Sequence, residues 1–231
     1  LWSDREAKVP NVKRKLTAQI SKVFAKTVSA SDTFAYIAAV AASPAYTTRF
    51  APDLKQPGLR IPLTASPKLF SEAVALGCEV VWLQTFGERF VSKAEGRPPG
   101  PPRLPKAEAP RIQAGCQIPT DPDNFPNEMS YDESKRILRI GKGSIENVPS
   151  DVFHYKVSGK QVLSQWFSYR RKNRSRPTIG DKRPPSPLGD IQPVGWLPEY
   201  TDELMNVLNV LGRLIQLEPK QADLLERICA G

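Results

Sequence analysis

Apolar positions in the first half of the chain recur at helical spacing. Leu16, Ile20, Val23 and Phe24 form one stripe in a lead that also carries Lys13, Arg14, Lys15, Lys22 and Lys26. A second helix is expected after Ser31, with Phe34, Ile37, Ala38 and Ala41 facing inward. Ser43-Pro44 and Ser66-Pro67 each read as an N-cap followed by proline at the first helical position, where no N–H is needed. The helix opened by Ser66 carries Leu69, Phe70, Ala73, Val74 and Leu76, with Gly77 expected to close or bend it before Val80, Val81 and Leu83. Prolines 98, 99, 101, 102, 105 and 110 then exclude helix and central strand, so a long surface connection is expected, semi-rigid or disordered. Strand-like pieces follow at 111–117, 128–132, 137–140 and 153–157, separated by Pro and Gly turns. Helical spacing returns from about Gly159, with Val162, Leu163, Trp166 and Phe167 on one stripe. Leu204, Val207, Leu208, Leu211, Leu214 and Ile215 mark another helix, and Pro219 is expected to start a second with Ala222, Leu225 and Ile228 inward. The pattern predicts an α+β chain in which a helical N-terminal half and a C-terminal helical pair flank a small, mostly antiparallel sheet. Its expected divisions are a helical region 1–95, a Pro-rich connection 96–110 and an α+β domain 111–231.

Composition narrows the class. At 231 residues and 40% apolar content, the chain buries a sizeable core, in one body or two subdomains. No run approaches the roughly 20 apolar residues that span a bilayer, and the N-terminus lacks an apolar signal-peptide region. Leu1 in place of Met is what an excised fragment or a processed product would show. Cys78, Cys116 and Cys229 are odd in number and widely spaced, and the lone His154 completes no zinc site with them. A reducing, cytoplasmic setting is expected, with no metal and no membrane.

Charge adds the first functional signal. Between Ser134 and Arg183 there are thirteen Lys or Arg residues against three acids, a net +10, whereas the whole chain is +9. The excess is regional, and its densest part follows Trp166 and Phe167. A cationic arm held by a buried stem suits a polyanion, because each phosphate neutralised releases condensed counterions. The candidate DNA-contacting residues are Arg170, Arg171, Lys172, Asn173, Arg174, Arg176, Lys182 and Arg183, with Lys142 and Lys160. Arg suits guanine O6 and N7; Asn173, Gln161 and Gln165 are of the type that suits adenine N6 and N7. A solvated basic face is the alternative for the same charges.

Catalytic patterns are missing. Gly141-Lys142-Gly143-Ser144 resembles the end of a phosphate loop, but Arg136 stands where the first glycine belongs, so a turn between strands is expected. There is no dinucleotide fingerprint, no nucleophile elbow and no Asn-Pro-Pro-aromatic motif of amino-methyltransferases. No catalytic residue is assigned.

Two blocks resemble a known family. Phe34-Ala35-Tyr36-Ile37, Ser43-Pro44-Ala45-Tyr46, Arg49-Phe50 and Arg60-Ile61-Pro62-Leu63, before Phe70 and Gly77, are similar to the segment after the methyltransferase core in Type ISP restriction-modification enzymes. Val152-Phe153-His154-Tyr155-Lys156-Val157, followed by Gly159, Val162-Leu163, Trp166 and Arg170, resembles the strand-to-helix signature of that family's C-terminal specificity domain. The resemblance implies a phage-defence polypeptide with nuclease, helicase-like ATPase, coupling and N6-adenine methyltransferase parts. S-adenosylmethionine, ATP and Mg would serve those parts, and this stretch would hold no cofactor.

The expected function is therefore sequence-specific binding of double-stranded DNA, as the non-catalytic target recognition domain of a single-polypeptide restriction-modification enzyme. Its partners would be duplex DNA and the methyltransferase domain of the same polypeptide. The alternative is an interaction or coupling module that docks on other domains of the parent. An RNA-binding module is disfavoured by the lack of RNP-type aromatics or a Gly-x-x-Gly loop.

Overall fold

A computed structural model of the chain describes residues 10–58, 60–172 and 192–230. They form two compact units, one made of the chain up to Pro102 together with Leu214 onward, the other of Arg103–Arg213.

The first unit contains α1 (Arg14–Phe24), α2 (Ala30–Ala41), α3 (Pro44–Arg49) and α4 (Pro67–Gln84). Ser43 and Ser66 cap α3 and α4 as the Ser-Pro signals predict. α2 starts earlier than expected because Ser29, not Ser31, caps it. The Ser29 N–H donates to the Asp32 carboxylate at 2.8 Å, and the Asp32 N–H donates to the Ser29 hydroxyl at 3.0 Å.

The face α2 buries also differs from the expected stripe. Thr33, Ala35, Tyr36, Ala39 and Val40 are buried, while Phe34, Ile37, Ala38 and Ala41 remain half-exposed. The reason is α4, which crosses α2 so closely that a Cβ on Gly77 would lie 1.7 Å from the Ala35 carbonyl oxygen. Gly77 therefore neither closes nor bends α4; it admits the neighbouring backbone. In α1, Ile20 and Phe24 pack on the core, but Val23 is 70% exposed.

Tyr36 and Tyr46 tie the extended stretch before α4 to this core. The Tyr36 hydroxyl donates to the Pro62 carbonyl at 2.9 Å and accepts from the Thr64 N–H at 3.2 Å; the Tyr46 hydroxyl donates to the Arg60 carbonyl. The Tyr36 ring stacks on Phe70 with centroids 4.9 Å apart.

The second unit centres on an antiparallel sheet of β1 (Met129–Asp132), β2 (Ile137–Ile140) and β3 (Gly143–Ile145) in that spatial order. Tyr131 pairs with Leu138, and Leu138 with Ile145. Leu138, Ile140 and Ile145 are fully buried. Residues 111–117 are not the expected strand: Arg111 bridges Glu146, but Gly115, at φ +81°, turns the chain before a ladder can propagate. β3 has too little β-forming sequence to be anticipated. Gly143 sits there because a Cβ would meet Ile118 at 2.6 Å.

The expected strand at 153–157 is also replaced. Ser150–Phe153 forms a helical turn, α5, and a two-stranded hairpin follows, β4 (Lys156–Val157) and β5 (Lys160–Gln161). Gly159 thus belongs to a hairpin turn, and α6 (Val162–Ser168) starts after it. Leu163 and Phe167 of α6 are buried, whereas Trp166 is only half-buried.

The expected C-terminal pair is one helix, α7 (Pro198–Ala230), running through Pro219. Proline deprives the preceding turn of one N–H donor and crowds its carbonyl. The apolar face nevertheless continues on both sides, with Leu204, Leu208, Leu211, Leu217, Leu224 and Ile228 buried. Two buried amides are also anchored along it. The Asn209 Oδ1 accepts from the Leu104 N–H at 2.9 Å within the second unit, and the Gln221 Nε2 donates to the Ala39 carbonyl at 2.9 Å within the first.

The Pro-rich stretch is no free spacer. Pro102, Leu104 and Pro110 are buried, and the Pro98 carbonyl accepts from the Trp82 indole at 2.9 Å. Prolines cannot donate to a ladder, but their carbonyls still accept.

Candidate nucleic-acid interface

Asn173, Arg174, Arg176, Lys182 and Arg183 lie outside the described residues. The other expected contacts divide by what their side chains already touch.

Arg170 is committed to the fold. Its Nε and Nη2 donate to Glu203 at 3.0 and 2.7 Å, and its Nη1 donates to the Trp166 carbonyl at 3.1 Å. The guanidinium lies 4.3 Å from the Trp166 ring centroid and 5.5 Å from that of Tyr200. Trp196, 1% exposed, meets Trp166 edge-on at 6.1 Å. Arg170 therefore braces α6 against the start of α7. Arg171 is half-buried and engaged as well. Gln161, of the type that suits adenine, has its amide occupied: Nε2 donates to the Phe153 carbonyl, and Oε1 accepts from the Ser164 hydroxyl.

The lysines are different. Lys142, Lys156, Lys160 and Lys172 are exposed, and among the described residues none of them is in an ion pair. Lys142 occupies the tip of the β2–β3 hairpin, a two-residue turn with Gly141 at φ +54°. A Cβ on Gly141 would lie 3.2 Å from Pro126, and the Pro126 carbonyl accepts from the Lys172 N–H at 2.8 Å. Pro126 thus brings Lys142 and Lys172 into one neighbourhood. Lys156 and Lys160 stand on the β4–β5 hairpin. Lys156 escaped the sequence reading because residues 153–157 look like one continuous strand. The signal for a hairpin was present in the Ser158-Gly159 dipeptide between two short extended pieces.

The β2–β3 turn cannot cradle a phosphate as a nucleotide loop does, since it joins two strands and Gly143 is packed beneath Ile118. Burial pushes the Cys78 thiol up, which makes it a poor nucleophile at neutral pH. The Ser134 hydroxyl and then the Lys135 N–H hold the Asp132 carboxyl below its usual range, so it remains an acceptor in its turn. Among the described residues no group of His, Cys, Asp or Glu could hold a metal ion, and no helix is long and apolar enough to cross a membrane.

A family model described as the Type ISP C-terminal specificity domain matches residues 2–206. No curated protein matches the chain. Among solved structures, a cryoEM structure of a DrdV–DNA complex is similar over 96% of this chain and 20% of that one, at 18% identity and TM-score 0.54. A nuclease-deletion mutant of the Type ISP restriction-modification enzyme LlaGI, in complex with a DNA substrate mimic, is similar over 88% of this chain and 16% of that one, at 20% identity and TM-score 0.47. The chain therefore spans a fifth or less of the length of these proteins, and the first likeness is one of fold.

Proposed function

This chain belongs to the Type ISP C-terminal specificity domain family, and on that premise we propose that it binds double-stranded DNA sequence-specifically as a target recognition domain. The observation that carries the reading is that the family match includes Lys142, Lys156, Lys160 and Lys172, which are exposed and in no ion pair among the described residues. Phosphate contacts from such residues position a duplex, and base contacts then specify it. Adenine-N6 methylation and ATP-dependent cleavage, with S-adenosylmethionine, ATP and Mg, fall to other parts of a longer polypeptide. The protein is expected to be cytoplasmic.

The test is duplex affinity by fluorescence anisotropy across a salt series. With about five phosphate contacts, the slope of log affinity against log salt is expected to be on the order of −4 to −5. A flat response, or no binding at low salt, refutes DNA recognition.

A docking role on the methyltransferase domain of the same polypeptide is a second reading. The outer face of α2 favours it, because Phe34, Ile37, Ala38 and Ala41 stay half-exposed on a helix whose opposite side is fully packed.

A further inference from the structure

We propose that the β4–β5 hairpin enters the major groove of the duplex tip first, with Val157 and Lys160 as specificity-determining residues and Lys156 on a phosphate. The inference rests on the DNA-recognition reading and gives the hairpin that carries the expected contact Lys160 a base-reading role.

The hairpin projects. Lys156, Val157, Ser158, Gly159 and Lys160 are all exposed, and Val157 keeps 57% of its surface in contact with solvent. A Cβ added to Gly159 would meet nothing within 4 Å. Glycine is there for backbone reasons: Ser158 and Gly159 both have positive φ, +51° and +77°, the requirement of the tightest two-residue hairpin turn. A two-stranded ribbon has strands about 4.8 Å apart, and a major groove about 12 Å wide accepts such a ribbon.

The chemistry is sorted by register. Val157 pairs directly with Lys160, so the two project from the same face. An apolar side chain of this size suits the thymine methyl, and a lysine suits guanine O6 and N7. Lys156 pairs with Gln161 on the other face, where the Gln161 amide is already used internally. A single exposed valine is ordinary by itself. Here it coincides with a tight turn and two lysines that have no acidic partner among the described residues.

The footing is rigid enough to fix geometry. The Val162 N–H donates to the Tyr155 carbonyl at 3.0 Å as β5 passes directly into α6. The Phe153 ring stacks on Tyr131 at 4.4 Å, and the Tyr131 hydroxyl donates to the Val148 carbonyl at 2.7 Å. The hairpin is thereby braced on β1. A base-reading element needs that support.

The test uses the intact protein that carries this chain, a randomised duplex library, and sequencing of the bound fraction. Val157→Ser and Lys160→Ala are compared with wild type after thermal melting has confirmed the fold, which two exposed positions should leave unchanged. The expected result is loss of discrimination at one or two neighbouring base pairs, with preference elsewhere retained. Replacing thymine by deoxyuridine at that base pair should weaken wild type about fourfold, the value of one methyl-sized group, and leave Val157→Ser unaffected. If both variants select the wild-type sequence with undiminished discrimination, the hairpin does not read bases, though DNA recognition stands. If wild type itself enriches no sequence, the specificity reading fails and the hairpin inference fails with it.

Discussion

Gly77 and Gly159 are both glycine, for opposite reasons. At Gly77 a side chain would collide with the Ala35 carbonyl, so Gly77→Ala must force α2 and α4 apart, costing about 1–3 kcal/mol or more. At Gly159 there is open space but a left-handed backbone, so Gly159→Ala costs about 1–2 kcal/mol from strain alone. Urea denaturation of both variants checks the ordering. In α6, Phe167→Ala is expected to cost about 3–5 kcal/mol, and the half-buried Trp166 less. The stripe at 162, 163, 166 and 167 was legible in the sequence. Which of its two aromatics lies deepest was not, because the groups packed on each, such as Arg170 over Trp166 and Trp196 against both, are set by tertiary contact. That same engagement separates Arg170 from Lys142. Lys142→Ala should reduce the salt slope of DNA binding by about one unit, and Arg170→Ala should leave the slope unchanged.

At the level of elements, α7 tests how propensity and packing compete. A proline inside a helix costs on the order of 3 kcal/mol. Pro219→Ala restores an N–H to the middle of α7 and should raise stability, by up to about that amount, with an increased urea midpoint as the readout. No change or a loss would mean that the proline is matched to its surroundings. The sequence suggested a break at Pro219 because the residue is a strong local signal. It did not show that Asn209 and Gln221 would each satisfy a backbone partner from the same helix, since those partners, Leu104 and Ala39, are remote in sequence. The two short hairpins were obscured for a related reason. Strands of two or three residues have too few alternations to display a period of two.

For the whole molecule, charge is the property with the widest reach. The stretch from Ser134 to Arg183 holds more net positive charge than the entire chain, so the remainder is close to neutral. Replacing Lys142, Lys156, Lys160 and Lys172 together by alanine should reduce the salt slope by about three units, because Lys142, Lys156 and Lys172 meet phosphates while Lys160 meets a base. Circular dichroism should be unaltered, because all four side chains are exposed. A slope within one unit of wild type would move the phosphate contacts to the stretch between Asn173 and Ile191.

Helix starts at Ser43 and Ser66, the apolar stripes of α4, α6 and α7, the α+β class and the regional positive charge were set by the sequence, because caps, periodicity and charge are local properties. Tertiary structure alone decided which face of α2 is buried, that Gly77 is a crossing point, that α7 passes through Pro219, and that Arg170 is a brace while Lys156 is exposed and in no ion pair among the described residues. Each of those outcomes depends on a partner remote along the chain: Gly77 against Ala35, Gln221 against Ala39, Arg170 against Glu203. Local pattern can say that a residue prefers to be buried or paired. Only packing supplies the partner, and close approach at the partner is what selects one face, one rotamer and one use for the side chain.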